Sequence, residues 1–273
     1  MKTILAATDF SPAAMNAVNY AADMAVAMNA GLYLLHVYQV PISYSEVPLT
    51  VDVNDILRAA EKDMMEVKAL LLLRHKNNLN ITTEVRMGFF FEELKLVCEK
   101  IKPYTVVMGS QGTTATEHFL FGGHTVYAMK HLAWPLITVP AGLSFSSIRK
   151  IGLACDFEDV VETTPLEEIK ILVKDFKAEL LVLNTGRKDE YDPDIVFESA
   201  MLQEMLDPIK PSYHFISSNN IDEGIMDFAE KNQIDLLLVL PKRHDLLDKL
   251  VHRSHTRQLV LHSHVPVLAL HQS

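Results

Sequence analysis

Two textures alternate along the chain. Short runs, most of them apolar at nearly every position and the one at 80–87 more mixed, lie near residues 3–8, 31–38, 80–87, 104–109 and 135–139 and are separated by longer stretches whose apolar residues recur at helical spacing. A run that is apolar on both faces reads as a strand buried between two layers of helices, and strands joined through such crossovers pair in parallel. Ser11 followed by Pro12 marks a helix start, an N-cap residue and then the imino acid that a first turn tolerates. Leu57, Ala60, Met64, Val67 and Leu71 form the apolar stripe of a second helix. The same plan resumes with strands expected near 150–155, 179–185, 212–216, 235–240 and 266–270. Within it, Thr164-Pro165-Leu166-Glu167 reads as a capping box, and a shorter second helix is expected near 194–207.

That resumption is an internal repeat. Lys2-Thr3-Ile4-Leu5-Ala6-Ala7-Thr8-Asp9-Phe10 returns 147 residues later as Arg149-Lys150-Ile151-Gly152-Leu153-Ala154-Cys155-Asp156-Phe157. Leu32–Val37 is answered by Leu180–Thr185, and Trp134–Val139 by Val265–Leu270. A repeat of this length implies one architecture used twice. The expected fold class is α/β, with two tandem open five-stranded parallel sheets flanked by helices. One domain is expected over residues 1–141 and a second over 148–273, divided in the Pro-, Gly- and Ser-containing stretch Pro140–Ser147.

Composition narrows the class. With 273 residues, 49% of them apolar, the chain can bury two ordinary cores. The apolar run Ile4–Ala7 is soon broken by Asp9 and no run reaches spanning length, so neither a signal peptide nor membrane insertion is expected. Cys98 and Cys155 each sit inside an apolar segment, as packed reduced thiols do, and a cytoplasmic location follows as an expectation. Residues 1–150 carry 13 acidic and 13 basic side chains, so the whole net charge of −10 falls on the remainder, which argues against a nucleic-acid partner.

In an open parallel sheet the ligand crevice lies beyond the carboxyl ends of the strands, at the point where the winding reverses. The fourth expected strand ends in Met108-Gly109-Ser110-Gln111-Gly112, and nine residues later Gly122-Gly123-His124-Thr125 opens a helix. Glycines here let backbone amides approach an anion, and the helix start adds unpaired amides. Taken singly, Asp9 reads equally well as a turn or capping residue, Val37 and Met108 as core, and paired glycines as punctuation.

The spacing Gly109-x2-Gly112-x9-Gly122, together with Thr8-Asp9-Phe10-Ser11 and Leu34-Leu35-His36-Val37, resembles the universal stress protein family over both halves of the chain. The resemblance implies a Rossmann-like fold of the adenine nucleotide alpha hydrolase type. It also implies an ATP site, with Mg2+ on the phosphates, in the first half: Asp9 on the ribose side, Val37 near adenine, and Met108, Gly109, Gln111, Gly112 and Gly122 around the phosphates. Ala7, Gly123, His124 and Thr125 complete the expected site. Gly123 departs from the family pattern, which has Ser or Thr there. No catalytic residue and no protein metal site are expected.

The second half keeps Asp156 but replaces the glycine loop by Leu240-Pro241-Lys242-Arg243-His244 and the later Gly-Gly by Arg253-Ser254. Lys242, Arg243, Lys249, Arg253 and Arg257 there read as a solvated basic helix face or as a site for a smaller anion. His244, His252, His255, His262, His264 and His271 do not imply convergent metal ligands. The resulting expectation is a stress-response sensor or regulator that binds ATP or a related adenine nucleotide and is not an enzyme, with slow hydrolysis left open. The alternative is a scaffold with a relic pocket. The family resemblance further implies pairing through the last strand of each half as an intramolecular pseudo-dimer, with a homodimer left open.

Overall fold

The computed structural model describes residues 1–39, 52–110, 123–155, 157, 160–184, 193–216, 218, 220–241 and 255–272. The first half runs β1 (Thr3–Ala7), α1 (Pro12–Ala27), β2 (Gly31–Tyr38), α2 (Val53–Arg74), β3 (Ile81–Met87), α3 (Phe90–Ile101), β4 (Thr105–Gly109), α4 (Gly123–His131) and β5 (Leu136–Val139). The second half runs β6 (Lys150–Cys155), α5 (Val160–Thr163), α6 (Leu166–Phe176), β7 (Glu179–Asn184), α7 (Pro193–Leu206), β8 (Ser212–Phe215), α8 (Ile221–Lys231), β9 (Leu236–Val239), α9 (His255–His262) and β10 (Val267–Ala269).

Each half orders its strands alike, β3-β2-β1-β4-β5 and β8-β7-β6-β9-β10, all parallel within the half. The runs Ile4–Ala6 and Leu236–Leu238 are fully buried, as strands covered on both faces must be. The two halves are joined by antiparallel pairing of β5 with β10, in which Leu136 faces Ala269, Ile137 faces Leu268 and Thr138 faces Val267. One ten-stranded sheet results, and both last strands lose the open edge that would invite other chains. The antiparallel join also puts the carboxyl ends of β1–β5 and those of β6–β10 at opposite borders of the sheet.

Residues of α1, α2, α6 and α7 pack on one face and residues of α3, α4, α8 and α9 on the other, and each of the two resulting cores runs through both halves. The seam carries polar ties as well. His271 Nε2 lies 2.9 Å from the Met129 carbonyl, and the Tyr104 hydroxyl donates to Asp175 at 3.0 Å. Lys2 pairs with Asp175 while its ammonium lies 4.5 Å from the centre of the Tyr104 ring. Asn16 in α1 donates to the carbonyls of Pro140 and Leu143 and so holds the segment that leaves β5.

The two halves differ at their first helix. Ser11 caps α1 by accepting from the Ala14 amide at 3.1 Å, and Pro12 follows in the first turn, as the sequence predicts. In the second half the helix is broken into α5 and α6, and the expected capping box at Thr164–Glu167 does not form. The Thr164 amide closes the last turn of α5 on Val160, and α6 starts at Leu166 after Pro165 with no side-chain cap. Thr164 is buried and among the described residues its hydroxyl has no hydrogen-bond partner, so it does not cap α6.

Candidate functional site

The turn after β1 is built from its own side chains. Thr8 Oγ1 accepts from the Phe10 amide at 2.9 Å and Asp9 Oδ1 accepts from the Ser11 amide at 3.0 Å, so the chain closes on itself and enters α1. The turn forces Phe10 to φ 63°, a left-handed conformation that costs a bulky residue about 1–3 kcal/mol. Phe157, the matching residue of the repeat, has φ 59°. The left-handed phenylalanine thus recurs in both halves, and in the first half the corner presents the exposed Asp9 at the carboxyl border of the sheet.

His36 in β2 supports the corner from beside it. Its Nδ1 lies 2.8 Å from the Thr8 carbonyl, which can only accept, so Nδ1 carries the proton. Its ring packs 4.5 Å from that of Phe10. Val37, the next residue, points to the opposite face, where it joins Ala7 and Met108 in the core under α3 and α4. The parallel register of β1 with β2 and β4 brings these three residues to one side of the crevice.

The end of β4 is tied to the start of α4. Thr125 is buried and donates its hydroxyl to the Gly109 carbonyl at 3.0 Å, while the Ser110 amide donates to the Val139 carbonyl at 3.0 Å. Thr125 thus anchors the helix and does not offer its hydroxyl to a ligand. Gly123 and His124, the first residues of α4, are exposed. Among the described residues, a Cβ built on Gly123 meets nothing within 4 Å, so none of them blocks the place of the missing Ser or Thr. His124 is steadied by an edge contact with Phe90 at the start of α3, ring centres 5.3 Å apart.

Of the expected site, Ala7, Asp9, Val37, Met108, Gly109, Gly123, His124 and Thr125 come to the carboxyl border around β1 and β4. Gln111, Gly112 and Gly122 lie outside the described residues, as do Asp156, Lys242, Arg243, His244, Lys249, His252 and Arg253 of the second half. Among the described residues no group of three His, Cys, Asp or Glu side chains could hold a metal ion. No described helix is long and apolar enough to cross a membrane. Phe10 and His36, quoted in the sequence only as parts of motifs, and Phe90 are the residues near the site to which the sequence assigned no role in it. The Asp-Phe pair common to both repeats marks the first, but nothing in the sequence states that Phe10 turns left-handed.

The profile of the universal stress protein family matches residues 1–140 and 200–271. The unmatched stretch between them contains β6, the broken helix α5–α6 and β7, the part of the second half where the structure departs from the first. A universal stress protein from Archaeoglobus fulgidus DSM 4304 shares 16% identity, with a TM-score of 0.73 over 99% of this chain and 98% of that one. A functionally unknown protein of Pseudomonas aeruginosa PAO1 aligns at 12% identity and a TM-score of 0.61, over 99% and 92% of the two chains. At such identities the likeness is one of fold. No curated protein matches the sequence.

Proposed function

Because the chain belongs to the universal stress protein family, we propose that its first half, residues 1–141, is an adenine-nucleotide sensor whose output is a change of stability or partner binding, and that residues 148–273 are a degenerate partner domain. ATP is the nucleotide this reading takes first. The observation that carries it is the bond from Thr125 to the Gly109 carbonyl, which ties the exposed amino end of α4 to the end of β4, the strand paired with the β1 that Asp9 follows. A helix start with unpaired amides favours phosphate oxygens, while Ala7, Val37 and Met108 offer an apolar wall for the base. Asp9 at the mouth suits the ribose hydroxyls. With no cluster of metal-ligating side chains among the described residues, Mg2+ would be held by phosphate oxygens and water. The protein acts in this reading by binding, since a ligand that prefers one state shifts the population without being consumed.

One observation favours the second reading, a scaffold with a relic pocket. Gly123 supplies no hydroxyl, and that of Thr125 is already committed to Gly109. Calorimetric titration of the full chain with ATP and Mg2+ separates the two, repeated on Asp9→Ala and Gly109→Val. Saturable heat at one site per chain, lost in both folded variants, supports the sensor. Absence of heat and of any thermal shift at millimolar ATP makes the scaffold the better account.

A further inference from the structure

The seam between the halves contains a cavity of about 180 Å³ at the amino end of β4, the end away from the nucleotide crevice. Met24 of α1 forms one wall, and Ile171 and Leu172 of α6 form the other. Ile137 of β5 and Leu268 of β10, cross-strand partners in the antiparallel join, form its floor. The cavity thus exists only where the two halves meet.

Its polar groups are nearly all spent. Thr105 donates its hydroxyl to the Pro135 carbonyl at 3.1 Å, and Tyr104 donates to Asp175. Glu168, in the first turn of α6, also lines the cavity. Its neighbour Glu167 pairs with Lys170, but among the described residues Glu168 has no hydrogen bond or ion pair. The nearby cation Lys2 is engaged with Asp175 and the Tyr104 ring. Ile171 leaves 51% of its surface in water at the rim, apolar area that an occupant would cover.

Size and chemistry then limit the occupant. A nucleotide-sized ligand needs a pocket of roughly 300 Å³ or more, whereas an apolar cavity of about 150 Å³ holds one benzene ring. The walls reward an apolar body, and the unspent, part-buried carboxylate rewards one positive hydrogen-bonding group, because charge-assisted hydrogen bonds are stronger than neutral ones. We propose that this seam cavity is a binding site for a compact apolar amine, its hydrocarbon part between Met24, Ile137, Leu172 and Leu268 and its ammonium on Glu168. Since both halves supply walls, such a ligand binds the joined chain and stabilises the seam by mass action. The proposal stands independently of nucleotide binding.

Benzylamine is the test compound, with benzyl alcohol as its uncharged counterpart, in calorimetric titrations and thermal melts of the full chain. Saturable binding of benzylamine and a rise in melting temperature are expected. Glu168→Gln weakens benzylamine about tenfold and leaves benzyl alcohol unchanged, the size expected for one charge-assisted hydrogen bond. Leu172→Phe, which fills the cavity, removes both. The proposal is overturned if benzylamine does not bind at millimolar concentration, if it binds Glu168→Gln as tightly as the unaltered chain, or if it still binds Leu172→Phe.

Discussion

At the scale of single residues, the corner after β1 explains how Asp9 is held out at the crevice. Phe10 accepts a left-handed backbone because Thr8, Asp9 and His36 over-determine it. Removing the His36 donor leaves the Thr8 carbonyl unpaired. His36→Phe, which keeps an aromatic ring against Phe10, should therefore lose about 1 kcal/mol in chemical denaturation. His36→Asn, whose amide can stand near the Nδ1 position, should recover most of that loss, whereas full stability in His36→Phe with a loss in His36→Asn would show that the ring alone matters. Gly123 is the complementary case. No described residue meets its Cβ position, so Gly123→Ser adds a hydroxyl there, where the proposed site places phosphate. ATP should bind this variant about tenfold more tightly in calorimetry, the gain from one hydrogen bond to a charged group, whereas unchanged affinity would place the phosphates elsewhere.

At the scale of elements, the inner strands were legible because they are buried on both faces and so are apolar at successive positions, whereas the outer strands β3 and β8 are partly exposed and mix polar with apolar residues. The runs near 3–8 and 179–185 became β1 and β7 with ends moved by one residue. The start of α1 was legible because Ser11 and Pro12 each act locally. The start of α6 was not, because Thr164 is used by the turn before it and Pro165 separates two helices that the repeat pattern runs together. The Thr125–Gly109 bond was hidden too, since a threonine in a helix start gives no sign of which carbonyl it will meet.

One inter-element network has a pH signature. Burial works against ionised Glu84, but hydrogen bonds from Tyr33, Arg86 and Lys100 outweigh it and hold the carboxyl below its ordinary range. Arg86 also reaches Glu93, tying β2, β3 and α3 together. A lowered folded value means the stabilisation is fully present above the unfolded glutamate range, about pH 4, and is lost as pH falls through the folded value. Glu84→Gln should thus flatten the acid side of the melting-temperature profile between about pH 5 and 3, and an unchanged slope would assign that loss to other carboxylates. In the same layer, burial, with Glu99 nearby, pushes the Cys98 thiol up to about 12. Cys98 should therefore resist maleimide at neutral pH until the protein is unfolded, and rapid labelling of folded protein would contradict its burial.

At the scale of the whole molecule, the antiparallel β5–β10 pair turns two half-sheets into one and gives the chain cores that neither half completes alone. The repeat and the family resemblance anticipated the partnership of the last strands. The register, Ile137 against Leu268, and the cavity above it depend on side chains distant in sequence and were not readable. Leu268 is fully buried, and Leu268→Ala should cost about 2–5 kcal/mol and speed amide exchange in β5 across the seam. Loss confined to β9 and β10 would show that the halves do not fold as one cooperative unit.

The same topology sends the carboxyl borders of the two halves in opposite directions, so the site proposed in the first half lies at one border of the sheet and its counterpart in the second half at the other. Hydrogen-exchange mass spectrometry of the full chain with and without ATP and Mg2+ tests this central claim most directly. The account predicts protection at residues 7–12, at the end of β4 and at the start of α4, with the segments after β6 and β9 unchanged. Protection confined to the second half, or none at saturating ATP, would contradict it.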